Sequence, residues 1–253
     1  MMEIANSVAL VTGGNRGIGE AFVRAFVAAG ARRVYVGARQ IDAAAHLVAE
    51  APDRVVAVQL DVADEKSIAR AARECPDVTI LVNNAGQFLK QTLLTAPDLS
   101  AARAEMEVNY FGPLGMCRAF APILARSRPS AIANVLSAGG IVAVPIMGGY
   151  SPSKFAARAM STCLRAEFAA QGTTVTALFV GSVDTRMASH VKGAKEKPET
   201  IAAAGLAAIR RGAEEVDTDT MAVEVRAQTI REPEALARRF AKQLGATEIN
   251  TGR

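Results

Sequence analysis

Short, continuously apolar segments alternate with longer segments of helical period along most of this chain. The short apolar segments predict strands, and the longer segments predict helices. The predicted strands are Val8–Thr12, Val34–Val36, Val55–Leu60, Thr79–Val82, Ala131–Leu136 and Val175–Val180. The predicted helices are Ile18–Ala29, Ala43–Glu50, Lys66–Arg73, Leu99–Ala125, Ser153–Ala170, Glu199–Arg211, Met221–Gln228 and Glu234–Leu244. Because strands separated by helices need crossover connections, the pattern predicts a parallel sheet.

The predicted strands lack the alternation of apolar and polar residues that marks a half-exposed sheet. Such strands are typical of a doubly wound α/β fold, in which helices cover both faces. The chain has 253 residues and no dividing linker, so we expect a single domain. We expect a cofactor half at about 1–90, a catalytic and substrate half at about 91–253, and a lid at about 181–212. An ordinary surface loop explains the polar start of that last stretch equally well.

The composition excludes several other classes of protein. Half of the residues are hydrophobic, which is enough for a large core and is not typical of a disordered chain. The net charge is +4, but Lys and Arg are dispersed among acids, which favours a solvated mixed surface over nucleic-acid binding. The sequence shows neither a signal peptide nor a run long enough to span a membrane. We therefore expect a cytoplasmic protein.

The cysteines and histidines predict no further site. Cys75, Cys117 and Cys163 are too few and too scattered for a disulfide framework or a zinc site. His46 lies in a predicted helix and His190 in the predicted lid, and no group of metal ligands includes either. We expect no metal.

A glycine-rich turn joins the first predicted strand to the first predicted helix. It runs Thr12-Gly13-Gly14-Asn15-Arg16-Gly17-Ile18-Gly19. Glycines allow a tight turn and a close approach to a pyrophosphate, which the amides of a helix N-terminus stabilise. The position between strand and helix favours a dinucleotide site, although the spacing departs from G-x-G-x-x-G. The candidate cofactor-binding residues of the turn are Gly13, Asn15, Arg16, Gly17, Ile18 and Gly19.

The spacing of this turn resembles the T-G-x-x-x-G-x-G motif of the short-chain dehydrogenase/reductase family. Three more of the family's motifs follow in the expected order, and the resemblance covers nearly the whole chain. They are Asn83-Asn84-Ala85-Gly86 at the fourth predicted strand, Asn109 in the long predicted helix, and Ser137 with Tyr150 and Lys154. The resemblance implies an oxidoreductase with a Rossmann fold and a nicotinamide cofactor.

The end of the second predicted strand indicates which nicotinamide cofactor to expect. An NAD site places Asp or Glu there to bind the ribose 2′-hydroxyl, and a carboxylate would repel a 2′-phosphate. Here Ala38 takes that place, Arg39 follows it, and Arg16 lies in the glycine-rich turn. Two guanidinium groups can bind one phosphate, so the pattern favours NADP(H). Taken alone, each arginine would be interpreted as a solvated or strand-end side chain.

Tyr150 and Lys154 are four residues apart, which on a helix brings both side chains to one face. Reduction of a carbonyl needs a proton donor, and a nearby ammonium lowers the pKa of a tyrosine from its ordinary value of about 10. By the resemblance, Tyr150 is the proton donor and also contacts the cofactor, while Lys154 lowers the Tyr150 pKa and binds the nicotinamide ribose.

The resemblance also assigns roles to two polar residues near this pair. Ser137 holds the substrate oxygen, and Asn109 anchors a water that connects Lys154 to solvent. Without the other catalytic residues, Ser137 would be interpreted as a satisfied strand-end hydroxyl. Asn109 would be interpreted as an amide bonded to the backbone of a kinked helix.

Further cofactor contacts follow from the resemblance. Asp61 is similar to the family's adenine-contacting Asp, with the backbone of Val62 beside it, although an Asp at this position could simply start a helix. Asn84, Ala85 and Gly86 position the cofactor by backbone contact, whereas Asn83 steadies the sheet.

Two departures from the family pattern have consequences. Val180-Gly181 replaces the usual Pro-Gly, which puts the rigidity of that turn in question, while Val183 and Thr185 can still reach the cofactor. The C-terminus lacks the frequent Asp-Gly-Gly strand and finishes in a helix with the tail Ala246–Arg253. A tetramer is therefore less secure, and we expect a homodimer through the predicted helices Leu99–Ala125 and Ser153–Ala170.

These observations predict an NADPH-dependent reductase of small or medium apolar aldehydes or ketones, reversible in principle. The expected pocket mouth is apolar and consists of Gly139, Val144, Ile146, Met147 and Met187.

One alternative is a non-enzymatic NADP(H)-binding redox sensor or scaffold, but such proteins tend to lose a catalytic side chain and none is missing here. Another is an epimerase or dehydratase acting on a nucleotide sugar, which generally has a larger C-terminal domain than the residues after Gly181 provide.

Overall fold

The computed structural model describes residues 2–244 and contains one parallel sheet of seven strands. Its strands are β1 (Val8–Thr12), β2 (Arg33–Ala38), β3 (Val55–Gln59), β4 (Ile80–Asn83), β5 (Ser130–Val135), β6 (Thr173–Phe179) and β7 (Glu215–Asp217). Their spatial order is β3-β2-β1-β4-β5-β6-β7. The chain order reverses between β1 and β4, and ligands of open α/β sheets bind at such a switch point.

Helices cover both faces of the sheet, so the predicted doubly wound α/β fold is confirmed. They are α1 (Gly17–Ala28), α2 (Ala45–Glu50), α3 (Glu65–Glu74), α4 (Ser100–Met106), α5 (Gly112–Arg126), α6 (Tyr150–Ala169), α7 (Pro198–Arg211), α8 (Thr220–Arg231) and α9 (Pro233–Ala241). Each face has its own hydrophobic core, with Phe22 and Phe26 on one side and Met116 and Phe120 on the other. No helix among residues 2–244 is long and apolar enough to cross a membrane.

The structure differs from the sequence prediction at three elements. Strand β7 is absent from the prediction, because it has only three residues and two of them are acidic. The predicted helix Leu99–Ala125 is α4 and α5 joined by a π-helical turn, Glu107–Phe111. Helix α6 begins at Tyr150 and not at Ser153, so Tyr150 occupies its first turn.

The edge strand β3 is covered only in part on each face. Val56 and Gln59 are exposed, while Val55 and Val58 are buried in the cores of opposite faces. A strand at the edge of a sheet has less of each face covered by helices, which explains the exposure of Val56 and Gln59.

The stretch 181–212 consists of two unlike parts. Its second part is helix α7, whose residues Ile201 and Ile209 are fully buried. A Cβ on Gly205 would collide with the Phe22 ring of α1, so the two helices are in close contact. The irregular part is 181–197, with one short 3-10 turn at Arg186–Ala188. The tail Ala246–Arg253 lies outside the described residues.

Candidate active site

Two positions of the glycine-rich turn require glycine, Gly13 for its backbone conformation and Gly19 for lack of space. Gly13 has a φ of 61°, in the left-handed region that favours glycine. A Cβ on Gly19 would collide with the carbonyl oxygen of Gly13 and lie 2.5 Å from Asn84 Nδ2. Arg16 precedes α1 and provides no side-chain acceptor for the first amides of that helix. A tight turn followed by unpaired helix amides fits a pyrophosphate group.

Thr12 and Asn84 join this turn to the end of β4. Thr12 Oγ1 accepts hydrogen bonds from the amides of Asn84 at 2.9 Å and Ala85 at 3.0 Å. Asn84 Nδ2 in turn donates to the carbonyls of Thr12 at 2.9 Å and Gly13 at 3.2 Å. The two motifs that the sequence analysis singled out separately therefore form one structure at the switch point.

The end of β2 lies beside the same turn. The Gly14 amide donates to the carbonyl of Gly37 at 3.2 Å, which brings Ala38 and Arg39 next to the glycine-rich turn. The side chains of Arg16 and Arg39 are both exposed, and no carboxylate follows β2 at the position expected in an NAD site. The residues present fit a nucleotide that carries a 2′-phosphate.

Asp61 follows β3, and its Oδ1 accepts from the Ala63 amide at 3.0 Å. The Asp61 amide donates to Ser67 Oγ at 3.0 Å, so this residue also shapes the start of α3. Val62 is 8% exposed and packs against Gly112. Asp61 is half-buried, and the strand that it follows, β3, is the neighbour of β2 in the sheet.

The turn after β6 is held by Asp219, which the sequence analysis did not single out. The Gly181 amide donates to Asp219 Oδ2 at 2.7 Å, and Asp219 Oδ1 also caps α8 by accepting from the Ala222 amide at 3.0 Å. These bonds fix the turn without the usual proline. Beyond it, Val183 is buried and Thr185 packs against Gly17, so residue 185 reaches the glycine-rich turn.

Asn109 lies in the π-helical turn and is 1% exposed. Its Oδ1 accepts from the Gln87 amide at 2.8 Å, and its Nδ2 donates to the Gln87 carbonyl at 2.9 Å and to Ser153 Oγ at 3.0 Å. The amide group thus joins the segment after β4 to the first turn of α6, and it does not bond to its own helix. Turns of this π type frequently occur at functional sites.

Gly86 lies between Asn109 and Lys154. A Cβ on Gly86 would be 3.4 Å from Asn109 Oδ1 and 3.8 Å from Lys154 Nζ. Asn83 does not face this space, because its Nδ2 donates to Asn134 Oδ1 at 2.8 Å inside the sheet. The bond to Asn134 fits the predicted role of Asn83 in the sheet, while the cofactor contacts of Asn84, Ala85 and Gly86 stay a prediction.

Ser137 and Tyr150 lie together at the carboxyl end of β5. Burial raises the pKa of Tyr150 to about 12, while a contact from the Ser137 hydroxyl lowers it and the charge of Glu105 raises it. Ser137 Oγ also accepts from the Gly139 amide at 3.1 Å. Among the predicted wall residues, Met147 lies next to Gly139, Val144 is buried, and Met187 is 41% exposed.

The predicted lowering of the Tyr150 pKa by Lys154 stays a prediction, because burial outweighs the other influences on this phenol. Lys154 Nζ donates to the carbonyl of Val135 at 3.0 Å and lies 5.7 Å from the centre of the Tyr150 ring. Burial lowers the pKa of Lys154 itself to about 8. Desolvation is therefore the main cause of the pKa shift of both Tyr150 and Lys154, because each side chain is more than nine-tenths buried.

Besides Asp219, two more residues at the site escaped the sequence analysis, namely Phe88 and Glu105. The ring centre of Phe88 is 5.1 Å from that of Tyr150 and 5.7 Å from that of His190. Glu105 is 1% exposed, and burial raises its pKa. A signal for Glu105 existed, since a glutamate four residues before Asn109 falls on the same side of a helix. Among residues 2–244, no cluster of three metal-ligating side chains occurs.

Comparison with family models places residues 7–196 in the short chain dehydrogenase family. The short chain dehydrogenase mpl6 of Monascus purpureus is 37% identical over 193 residues, which are 72% of this chain and 66% of that protein. The mammalian and amphibian relatives named dehydrogenase/reductase SDR family member 7B match over 59–63% of their length. The chain thus spans about two thirds or less of these curated relatives.

Solved structures match over almost the whole chain. A short chain dehydrogenase from Burkholderia cenocepacia J2315, crystallised in complex with NADP, is 41% identical with a TM-score of 0.89 and covers 94% of this chain and 99% of its own. A 3-ketoacyl-(acyl-carrier-protein) reductase from Brucella melitensis, complexed with NADH, is 25% identical with a TM-score of 0.78 and covers 85% and 98%. Both kinds of nicotinamide cofactor thus occur among its structural neighbours.

Proposed function

Because this chain belongs to the short-chain dehydrogenase/reductase family of oxidoreductases, we propose that it reduces an aldehyde or ketone with NADPH, with Tyr150 as the proton donor. One observation carries the proposal: Ser137, Tyr150 and Lys154 converge at the carboxyl end of β5, next to Gly86. The reaction is reversible, so the same residues would serve alcohol oxidation.

NADPH would supply the hydride that adds to the carbonyl carbon. The glycine-rich turn and the first amides of α1 would hold its pyrophosphate, and Arg16 with Arg39 would bind the 2′-phosphate. Asp61 and Val62 would contact the adenine, and Asn84, Ala85 and Gly86 would border the ribose and nicotinamide. The remaining contacts would come from Val183 and Thr185 beyond β6. The NADP complex of the Burkholderia cenocepacia relative supports this choice of cofactor.

Tyr150 suits the role of proton donor because burial keeps it protonated. With its pKa raised to about 12, the phenol retains its proton throughout the neutral range. Ser137 would donate a hydrogen bond to the substrate oxygen and so align it with the Tyr150 hydroxyl. When Tyr150 has given up its proton, the Lys154 ammonium, 5.7 Å from the ring centre, would stabilise the phenolate until a proton returns.

Proton return to Lys154 involves the neighbourhood of Asn109. Both donors of the Asn109 amide are engaged, with Gln87 and Ser153, so a water anchored at this residue would have to donate to an oxygen. Such a water would lie near Gly86, which separates Asn109 from Lys154.

We also propose that the protein acts on apolar carbonyl compounds as a homodimer in the cytoplasm. The predicted pocket mouth is apolar, and Phe88 adds an aromatic ring to it. Phe111 and Phe155 are 49% and 38% exposed on the segments predicted to form the dimer interface, and large exposed aromatic side chains favour association.

The test is consumption of NADPH, followed by its absorbance, with a panel of aliphatic and aromatic aldehydes and ketones. Tyr150→Phe should reduce kcat by about 100- to 10,000-fold, the usual contribution of a general acid, and weaken NADPH binding far less than it slows turnover. Full turnover by Tyr150→Phe would refute the mechanism. Tight NADPH binding by the native protein without turnover of any carbonyl compound would favour the redox sensor.

A further inference from the structure

Glu105 is a buried carboxylic acid beside Tyr150 that the proposed mechanism does not use. Its Oε1 accepts a hydrogen bond from the Leu89 amide at 2.7 Å, and its Oε2 has no hydrogen-bond partner among the described residues. A Cβ on Gly149 would lie 2.7 Å from Oε2, so the carboxyl group is packed against the residue that precedes Tyr150.

Glu105 and Asn109 hold the two residues on either side of Phe88. Asn109 bonds to both backbone groups of Gln87, at 2.8 and 2.9 Å, and Glu105 bonds to the amide of Leu89. Phe88 lies between these two fixed points, and its ring is tilted by 53° against that of Tyr150. The orientation of Phe88 is thus set from both sides by side chains of one helical segment.

The packing alone does not account for an acid at position 105. A buried carboxyl group with one unsatisfied oxygen lowers the stability of the fold, whereas an apolar side chain of similar size would avoid that cost. The one hydrogen bond that Glu105 makes is to Leu89. A group that is unfavourable for folding and makes a single bond beside a reactive tyrosine points to a role in the site.

We propose that Glu105 is a positioning residue: its bond to Leu89 completes a clamp on residues 87–89 and fixes Phe88 as a wall that limits the size of carbonyl compounds reaching Tyr150. The inference rests on the proposed carbonyl reduction. It makes Phe88 the residue that discriminates against bulky planar substrates, since its ring centre lies 5.1 Å from that of Tyr150 and 5.7 Å from that of His190.

The test compares butanal, a small aldehyde, with 2-naphthaldehyde, a bulky planar one. Glu105→Met removes the acceptor for Leu89 at similar length, Glu105→Gln keeps an acceptor oxygen, and Phe88→Ala removes the wall. The ratio of kcat/KM for naphthaldehyde over butanal should rise about 5- to 10-fold in Glu105→Met and Phe88→Ala, and stay near native in Glu105→Gln. Glu107→Gln, an exposed glutamate two residues away, is the matched control.

Amide hydrogen exchange at Leu89 measures the clamp without any turnover. Exchange should be slow in the native protein and in Glu105→Gln, and at least about tenfold faster in Glu105→Met. An unchanged exchange rate in Glu105→Met would overturn the inference, as would an equal loss of kcat/KM for both aldehydes. If the native protein reduces neither aldehyde, the proposed function fails, and Leu89 exchange decides on the clamp by itself.

Discussion

Lys154 Nζ lies 5.7 Å from the centre of the Tyr150 ring, one helical turn along α6, and donates its hydrogen bond to the carbonyl of Val135. Both side chains are buried, which favours the neutral form of each. Burial therefore disfavours the charged form of Lys154, which lies next to a phenol that retains its proton well above neutral pH. This relationship has a measurable consequence for stability.

The free energy of unfolding should rise with pH between about 8 and 10.5 because of Lys154. Its pKa is about 8 in the folded protein, below the ordinary 10.5, so the unfolded chain binds more protons across that interval. The rise should amount to about 3 kcal/mol, at about 1.4 kcal/mol for each pKa unit. Lys154→Met should lack it. Urea unfolding at several pH values measures the free energy of unfolding of the native protein and of Lys154→Met. The contributions of all other titrating groups cancel in the difference between the two.

An exposed lysine provides the control for this measurement. Lys66→Met, on the surface of α3, should retain the native pH dependence. Parallel stability curves for the native protein and Lys154→Met across the whole interval would contradict the prediction.

Arg39→Asp should reverse the preference for NADPH. The substitution removes a guanidinium just after β2 and introduces a carboxylate next to Ala38, where it would repel a 2′-phosphate and accept from a ribose 2′-hydroxyl. NADPH binding should weaken about 10- to 100-fold, while NADH binding should be unchanged or stronger. The chain contains no tryptophan, so direct excitation of the reduced cofactor gives its emission with little protein background.

The same titration on Arg54→Asp controls for a change of surface charge, because Arg54 lies at the far end of the adjacent strand β3. Equal affinities for both cofactors in the native protein, or no effect of Arg39→Asp, would show that the end of β2 does not select the cofactor.

Gly19→Ala should abolish tight cofactor binding. The added methyl group would collide with the Gly13 carbonyl and crowd Asn84 Nδ2, both of which are held by the bonds between β1 and β4. We expect a loss of about 1–3 kcal/mol in stability, as for other overpacked sites, together with a displaced turn. Cofactor titration and thermal unfolding measure the two effects separately.

Gly115→Ala is the matched control, because the new methyl group would meet only the end of the Ile68 side chain, at 3.0 Å. That flexible group can move, and alanine favours a helix. If Gly19→Ala bound NADPH as tightly as Gly115→Ala does, the glycine-rich turn would not be the pyrophosphate site.

Phe111→Asp and Phe155→Asp should shift the protein from dimer to monomer if the predicted segments Leu99–Ala125 and Ser153–Ala170 form the interface. Each substitution places a charge on a half-exposed aromatic position, and a desolvated charge opposes association. Leu94→Asp, on a loop residue that is 97% exposed, should leave the dimer intact. Sedimentation velocity measures the oligomeric state of the three variants and of the native protein. A monomeric native protein would refute the homodimer.

The sequence was sufficient to predict the elements that carry long, regular patterns. Six of the seven strands and the order of the helices follow from apolar runs and helical period. Strand β7 does not, because Glu215 and Asp217 give it a charged composition. Their ion pairs with Arg226, at 3.1 and 2.6 Å, stabilise that edge, and no pattern within three residues can reveal such partners.

The candidate site was predictable where a motif specifies position, and not where burial decides the chemistry. The contact between Thr12 and Asn84 follows from neighbouring strands ending at one edge of the sheet. The pKa values of Tyr150 and Lys154 depend on how much water reaches them, which spacing on a helix does not reveal. Glu105 was missed for the same reason, since a glutamate is ordinarily expected at the surface.

The pairing of β1 with β4 has a consequence for how the protein is made. Val8 bonds to Thr79 across 71 residues of chain, and every further strand pair in the sheet is likewise reached through a long connection. Closing such loops opposes folding until many contacts form together. During synthesis, the glycine-rich turn leaves the ribosome long before the strand that supports it. The nascent chain can therefore close this turn against β4 only after residues 80–83 have been made, and until then its apolar strands are exposed to chaperones.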